Sequence, residues 1–212
     1  MLFLLKLIPK VKLKQFGYLP VDRFYINEFL RECVLNESFS SKGRSLEFGE
    51  VRYSRFFPGE KFKWIYSSNF VIINHEICGD ILSKNSIEIK FDLIVSTQVI
   101  TFVENPKLYL HNLCELLSPG GLIVLTSPGI GVFTSKYDAE RWGDFGRYSL
   151  RSLNSFIPEG FYVSDQRLYG NFDVLRKLNN NISVPFIKKE KLLNHVPNEE
   201  VLIGLIIRRR NA

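Results

Sequence analysis

The stretch FDLIVSTQVITFVENPKLYLHNLCELLSPGGLIVLTSPG, residues 91–129, decides the fold. Phe91 to Ser96 carries Leu93, Ile94 and Val95 in one unbroken apolar run, the pattern of a strand covered on both faces. Asn105-Pro106 then opens a helix through Leu117, with Leu108, Leu110, Leu113, Leu116 and Leu117 apolar and the proline near its first turn, where its missing N–H costs nothing. Ser118-Pro119-Gly120-Gly121 stops that helix, and Leu122 to Leu125 is a second continuous apolar run. Two covered strands joined by a helix are a βαβ unit, whose strands run parallel.

The same alternation extends both ways. Upstream, Ser45 to Gly49, Phe62 to Tyr66 and Glu76 to Cys78 read as short strands, and Val21 to Glu32 has its apolar residues at helical spacing. Downstream, Ser127-Pro128-Gly129 leads into a polar, aromatic-rich loop ending near Tyr148. Leu150 to Phe156 and Asn171 to Leu178 then read as helices, and Tyr162 to Leu168 and Val201 to Ile207 as strands. The expectation is an α/β fold, a Rossmann-like doubly wound, mostly parallel seven-stranded sheet with helices on both faces. Residues 1–35 form an N-terminal arm and helix, able to roof a site, and residues 36–212 the α/β domain. Ligands of such sheets sit beyond the carboxyl ends of the strands. That directs attention to Glu47-Phe48-Gly49-Glu50, Tyr66-Ser67-Ser68, Gly79-Asp80-Ile81 and Ser96-Thr97-Gln98.

With 212 residues, 45% of them hydrophobic and 14% aromatic, the chain can bury one sizeable core, which excludes a disordered or collagen-like chain. Lys and Arg exceed Asp and Glu by 28 to 22, a net charge of +6 that favours anionic ligands or surfaces without proving either. Met1 to Ile8 is apolar apart from Lys6 and precedes alternating lysines. It suits a peripheral contact with anionic lipid and is too short to span a bilayer, which needs about 20 apolar residues. The segment lacks the pattern of a secretory signal, so a cytoplasmic protein is expected. Cys33, Cys78 and Cys114 are widely spaced and show neither a disulfide framework nor a metal motif.

Taken in order, Leu46-Glu47-Phe48-Gly49, Asp80, Phe91 to Gln98 and Leu117-Ser118-Pro119-Gly120-Gly121-Leu122 resemble the class I S-adenosylmethionine-dependent methyltransferases. The likeness is nearest to a bacterial subgroup of methyltransferase-domain proteins, many linked to polysaccharide biosynthesis. It is carried by Leu19 to Ile26, Glu47 to Ser54, Tyr137 to Tyr148, Gly170-Asn171 and Glu200 to Ile203. The resemblance implies S-adenosylmethionine as cofactor and a small-molecule or glycan acceptor. Its implied cofactor-binding residues are Glu47, Phe48, Gly49, Glu50, Tyr53, Ser67, Asp80, Ile81, Thr97 and Gln98. Two positions depart from the family: Val51 stands where many members have a second glycine, and Tyr66-Ser67-Ser68-Asn69 stands where an acid usually holds the ribose.

The chemistry of the residues points to the same place. A ligand bearing a sulfonium, an ammonium, a carboxylate and a ribose needs carboxylates, exposed backbone N–H groups and a close backbone approach such as Gly49 permits. Methyl transfer to oxygen is an in-line displacement, so positioning supplies much of the rate and a base need only take the hydroxyl proton. Asp144, between Trp142 and Arg147, is the preferred base, with Asp138 second; an Asp–Arg structural pair is the competing reading of Asp144. Tyr25, Trp142, Arg147 and Tyr148 are candidate acceptor-binding residues, and the aromatic ones are equally suited to be core anchors.

Three rivals remain. Val51 and the missing second-strand acid admit a catalytically silent methyltransferase-like scaffold in a glycan-biosynthesis complex. A nicotinamide oxidoreductase would need GxGxxG after its first strand, which this turn cannot supply. A nucleic-acid methyltransferase acting on flipped adenine would carry an Asn/Asp-Pro-Pro-aromatic tetrad where Ser96-Thr97-Gln98-Val99 stands, so nucleic acid is disfavoured. Oligomeric state is left open.

Overall fold

The computed structural model describes residues 19–36, 43–49, 51–67, 70–73, 78–79 and 90–210. The expectations for Met1 to Ile8, Glu50, Asp80 and Ile81 lie outside the described residues. The elements are α1 (Val21–Asn36), β1 (Arg44–Phe48), β2 (Glu60–Ser67), β3 (Phe70–Ile73), β4 (Cys78–Gly79), β5 (Phe91–Thr97), α2 (Pro106–Glu115), β6 (Leu117–Pro128), α3 (Lys136–Trp142), α4 (Leu150–Ser155), β7 (Phe161–Tyr169), α5 (Phe172–Asn179), α6 (Lys189–Leu193) and β8 (Leu202–Arg209).

The strands form one sheet in the order β4-β3-β2-β1-β5-β6-β8-β7. Strands β2, β1, β5 and β6 are parallel neighbours, while β3 and β8 run against the strands beside them. The Rossmann-like, mostly parallel arrangement is therefore present. The described sheet has eight strands rather than seven, because β3 pairs between β2 and β4.

Helices cover both faces, as two separate cores require. One packs Leu110, Leu113 and Cys114 of α2 and Leu153 of α4 against Leu46, Ile94, Ile123 and Leu205. The other packs Val21, Tyr25, Phe29 and Leu30 of α1 and Val174 and Leu178 of α5 against Leu93, Val95, Val124 and Ile206. Burial pushes the Cys114 thiol up to about 12, which makes it an inert filler of the first core.

Helix α2 starts as its sequence dictates: the Asn105 side chain accepts from the Leu108 N–H, with Pro106 following. The glycine pair after it does not leave the sheet, as a free turn would. Leu117 already pairs with Phe91, and the register shifts before Leu122 meets Leu93. A Cβ on Gly121 would stand about 3.0 Å from the Asp92 carbonyl oxygen, so this bulge needs a residue without one. Helix α3 lies within what the sequence suggested was a loop. It buries no side chain and is held by its cap, in which the Ser135 oxygen accepts from the Asp138 N–H.

Candidate functional site

Strand β1 delivers Phe48 and Gly49 to the carboxyl edge of the sheet. Gly49 has φ +83°, and among the described residues no atom lies within 4 Å of a Cβ built on it, so this backbone is open on that side. The turn after it is held from below by Glu47, which is only 1% exposed. One carboxylate oxygen accepts from the N–H of Tyr53 at 2.8 Å and of Arg52 at 3.1 Å. The other accepts from Ser54 at 2.8 Å and Arg52 at 3.1 Å. These bonds satisfy a carboxylate that burial would otherwise destabilise severely.

That arrangement corrects the sequence reading of Glu47. Its oxygens are committed to the loop, so it positions Gly49 rather than presenting a charge to a ligand. Tyr53 is likewise buried, and its hydroxyl accepts from Arg23 of α1 at 2.6 Å. Burial works against the Arg23 charge, but the Tyr53 hydroxyl and the carboxylates of Asp22 and Asp138 outweigh it and raise its pKa.

Beside Gly49, β5 ends at Thr97. Gln98 follows with φ +62°, a left-handed conformation uncommon outside glycine, and its N–H donates to the Thr126 carbonyl at 3.0 Å. A single 3-10 turn, Ile100–Phe102, then turns the chain inward. Beyond β6 a strap, residues 129–135, crosses toward α3. Asn179 of α5 donates to the Gly131 carbonyl at 2.8 Å and accepts from the Phe133 N–H at 3.1 Å. Arg147 ties the far side of the strap, donating to the carbonyls of Val132 at 2.8 Å and Gly146 at 2.9 Å and to the Thr134 hydroxyl.

Between these parts lies a crevice of about 520 Å³, within the range of small-molecule sites. Phe48, Gly49, Thr97, Gln98, Asp138, Trp142 and Arg147 line it, so β1, β5, α3 and the following loop bring those predicted residues together. Asp22, Arg23, Thr101, Ser135 and Arg141 line it too. Of these, Asp22 and Arg23 were legible as parts of a roof. Thr101 carried only the weak signal of a polar side chain inside the apolar run Val99 to Val103.

Several expectations are corrected by placement. Tyr25 is fully buried, its hydroxyl donates to the Leu192 carbonyl at 3.0 Å and its ring stacks on Tyr169; it is a core anchor, not an acceptor contact. Tyr148 packs edge-on against Phe156 on the first core and does not line the crevice. Asp144 is also outside the lining. It accepts from Arg147 at 2.5 Å, the structural pair that competed with the catalytic reading. Asp138 remains in the wall: one oxygen accepts from the Ser135 hydroxyl, and among the described residues the other makes no hydrogen bond. Ser67 ends β2, and only its backbone is described.

The crevice fits the cofactor implied by the sequence. It is open beside the glycine turn, it offers backbone at Gly49 and Thr97, and Asp22 and Asp138 supply negative charge for a sulfonium or ammonium. Among the described residues no helix is long and apolar enough to cross a membrane.

Comparison with known proteins places this geometry. No curated protein sequence matches the chain. Among solved structures, a methyltransferase-fold protein of Bacillus halodurans shares the architecture at 10% identity and TM-score 0.55, over 86% of this chain and 99% of that one. The Haloferax volcanii protein solved in complex with the Trm112 methyltransferase activator does so at 10% identity and TM-score 0.52, over 90% and 94%. The cyclase SpnF aligns at 14% identity and TM-score 0.51, over 90% and 81%. Residues 7–162, well over half of the sequence, match the family model described as a methyltransferase domain. The fold is that of such a domain, and the chain belongs to the methyltransferase-domain family.

Proposed function

We propose that the crevice takes S-adenosylmethionine against Phe48, Gly49 and the backbone of Thr97 and Gln98, and that the chain methylates a hydroxyl of a sugar or glycan precursor. The observation that carries this reading is the meeting of the glycine turn with Asp138 and Trp142 in one crevice. When bound, the cofactor supplies a methyl carbon made electrophilic by a sulfonium, and leaves as a neutral thioether.

The chain's own residues do the rest. Asp138 accepts the hydroxyl proton on the oxygen that the Ser135 bond leaves open, while that bond fixes the rotamer of the carboxylate. Trp142, its ring 4.7 Å from the Arg141 guanidinium, offers an apolar face of the kind that sugars pack against. Asp22 and Arg23 of α1 close the crevice as a roof, with Arg23 braced on Tyr53. Glu50, Ser67, Asp80 and Ile81 are the remaining proposed cofactor contacts. The resemblance to polysaccharide-linked members of the family supports the glycan class.

Calorimetric titration with S-adenosylhomocysteine tests the cofactor half. Saturable binding is expected, and no heat at millimolar ligand favours the silent scaffold. Asp138→Asn tests the base: turnover should fall about a hundredfold with S-adenosylhomocysteine affinity kept. Unchanged turnover removes Asp138 from the mechanism.

A further inference from the structure

Two polar side-chain atoms on the crevice wall have no partner. Thr101 Oγ1 and Gln98 Nε2 are both buried, and neither makes a hydrogen bond among the described residues. Thr101 is only 2% exposed, yet it belongs to the crevice lining, as does Gln98 three residues before it. Buried polar groups in native proteins are nearly always satisfied, and each exception asks for an explanation, a functional role among them. The backbone adds an independent sign. Gln98 holds φ +62° at the end of a buried strand, a strained state fixed by its N–H bonds to the Thr126 carbonyl and hydroxyl, and such strain persists where it aims a functional side chain. The third orphaned atom, Ser54 Oγ, belongs to a residue outside the crevice lining and has no part in this.

We propose that Gln98 and Thr101 form a neutral subsite that binds the hydroxyls of the methyl acceptor; this rests on the methyl-transfer reading above. The donor chemistry selects the ligand. The Gln98 amide offers N–H donors at Nε2 and an acceptor at Oε1, and the threonine hydroxyl both donates and accepts, so the pair suits a hydroxyl, which does both as well. A vicinal diol satisfies both groups at once. A carboxylate or phosphate at this point would sit between uncharged groups on a wall that also carries Asp22 and Asp138. The lining cations are engaged within the protein, Arg147 with Asp144, Val132, Gly146 and Thr134, Arg23 with the Tyr53 hydroxyl and Arg141 with the Tyr137 hydroxyl. The acceptor is therefore an uncharged polyol at its reacting end. Thr101 and Gln98 hold it while Asp138 takes the proton.

The test uses the full chain with radiolabelled S-adenosylmethionine and three probe sets: neutral methyl glycosides of rhamnose, mannose and galactose; the amines glucosamine and histamine; and the carboxylate glucuronate. Label should enter the glycosides. Thr101→Val, which keeps the shape, and Gln98→Met, which keeps the length, should each lower glycoside labelling about tenfold, the worth of one lost ligand hydrogen bond. Thr101→Val, at a residue outside the proposed cofactor contacts, should leave S-adenosylhomocysteine affinity within about twofold. Thr101→Val should also raise the melting temperature by about 2 °C, since it removes an unsatisfied buried hydroxyl, and this shows that the variant folds. Labelling confined to the amines or glucuronate, no labelling of any glycoside, unchanged glycoside labelling in both variants, or a tenfold loss of S-adenosylhomocysteine affinity in Thr101→Val each overturns the subsite. Failure of the parent chain to bind S-adenosylhomocysteine at all instead sinks the methyl-transfer reading beneath it.

Discussion

Glu47→Ala should cost the fold about 4 kcal/mol in urea denaturation, because it strands buried backbone donors that no water can reach. The N–H groups of Tyr53 and Ser54 lie in a buried environment and lose the only acceptor they have among the described residues, and that of Arg52 loses two bonds. At roughly 2 kcal/mol for each fully buried orphan, those of Tyr53 and Ser54 alone reach that sum. Glu47→Gln separates geometry from charge. Its carbonyl oxygen can still accept one pair of bonds, while its amide would point donors at a donor, so an intermediate loss of about 2 kcal/mol is expected. A surface-like loss below about 0.5 kcal/mol in Glu47→Ala would show that the carboxylate does not hold the loop. Cofactor affinity should fall with stability in these variants, since the loop they loosen carries Gly49.

Gly49→Val should abolish cofactor binding while leaving most of the fold intact. At φ +83° a β-branched residue costs about 2 kcal/mol of backbone strain, and its side chain would enter the space that the glycine leaves open. The methyls would stand where the ligand must touch backbone, so affinity for S-adenosylhomocysteine should drop about a thousandfold, more than 4 kcal/mol. Gly49→Ala carries the strain with a smaller intrusion and should fall between. Equal affinity in all three chains, measured by calorimetry, would move the cofactor away from β1.

The parts of this fold legible in the sequence are those whose stability is written in apolar runs. Strands β5 and β6 and helix α2 are buried on the faces their residues announce, so Leu93 to Val95 and Leu122 to Leu125 were enough. Helix α3 was invisible because it packs nothing inward; a single serine cap and an ion pair between Lys136 and Glu140 are signals too local to separate from a loop. In the site, Gly49, Thr97, Gln98 and Trp142 could be found because strand ends and an aromatic loop mark a crevice in any doubly wound sheet. Composition could not distinguish Tyr25, whose helical spacing serves the core, from an aromatic in the site. Nor could it tell that Asp144 would be taken by Arg147 three residues on while Asp138 stayed in the wall. Thr101 escaped because its importance lies in what it lacks, a partner, and that is a property of three dimensions alone.

The sequence contains two tryptophans, Trp64 and Trp142, and the second lines the crevice with its ring beneath the Arg141 guanidinium. Indole emission shifts with the polarity around the ring, so the protein carries its own optical reporter of occupancy. In a Trp64→Phe background the light comes from Trp142 alone, and stopped-flow fluorescence would time the arrival of cofactor and of acceptor separately, without a label on either.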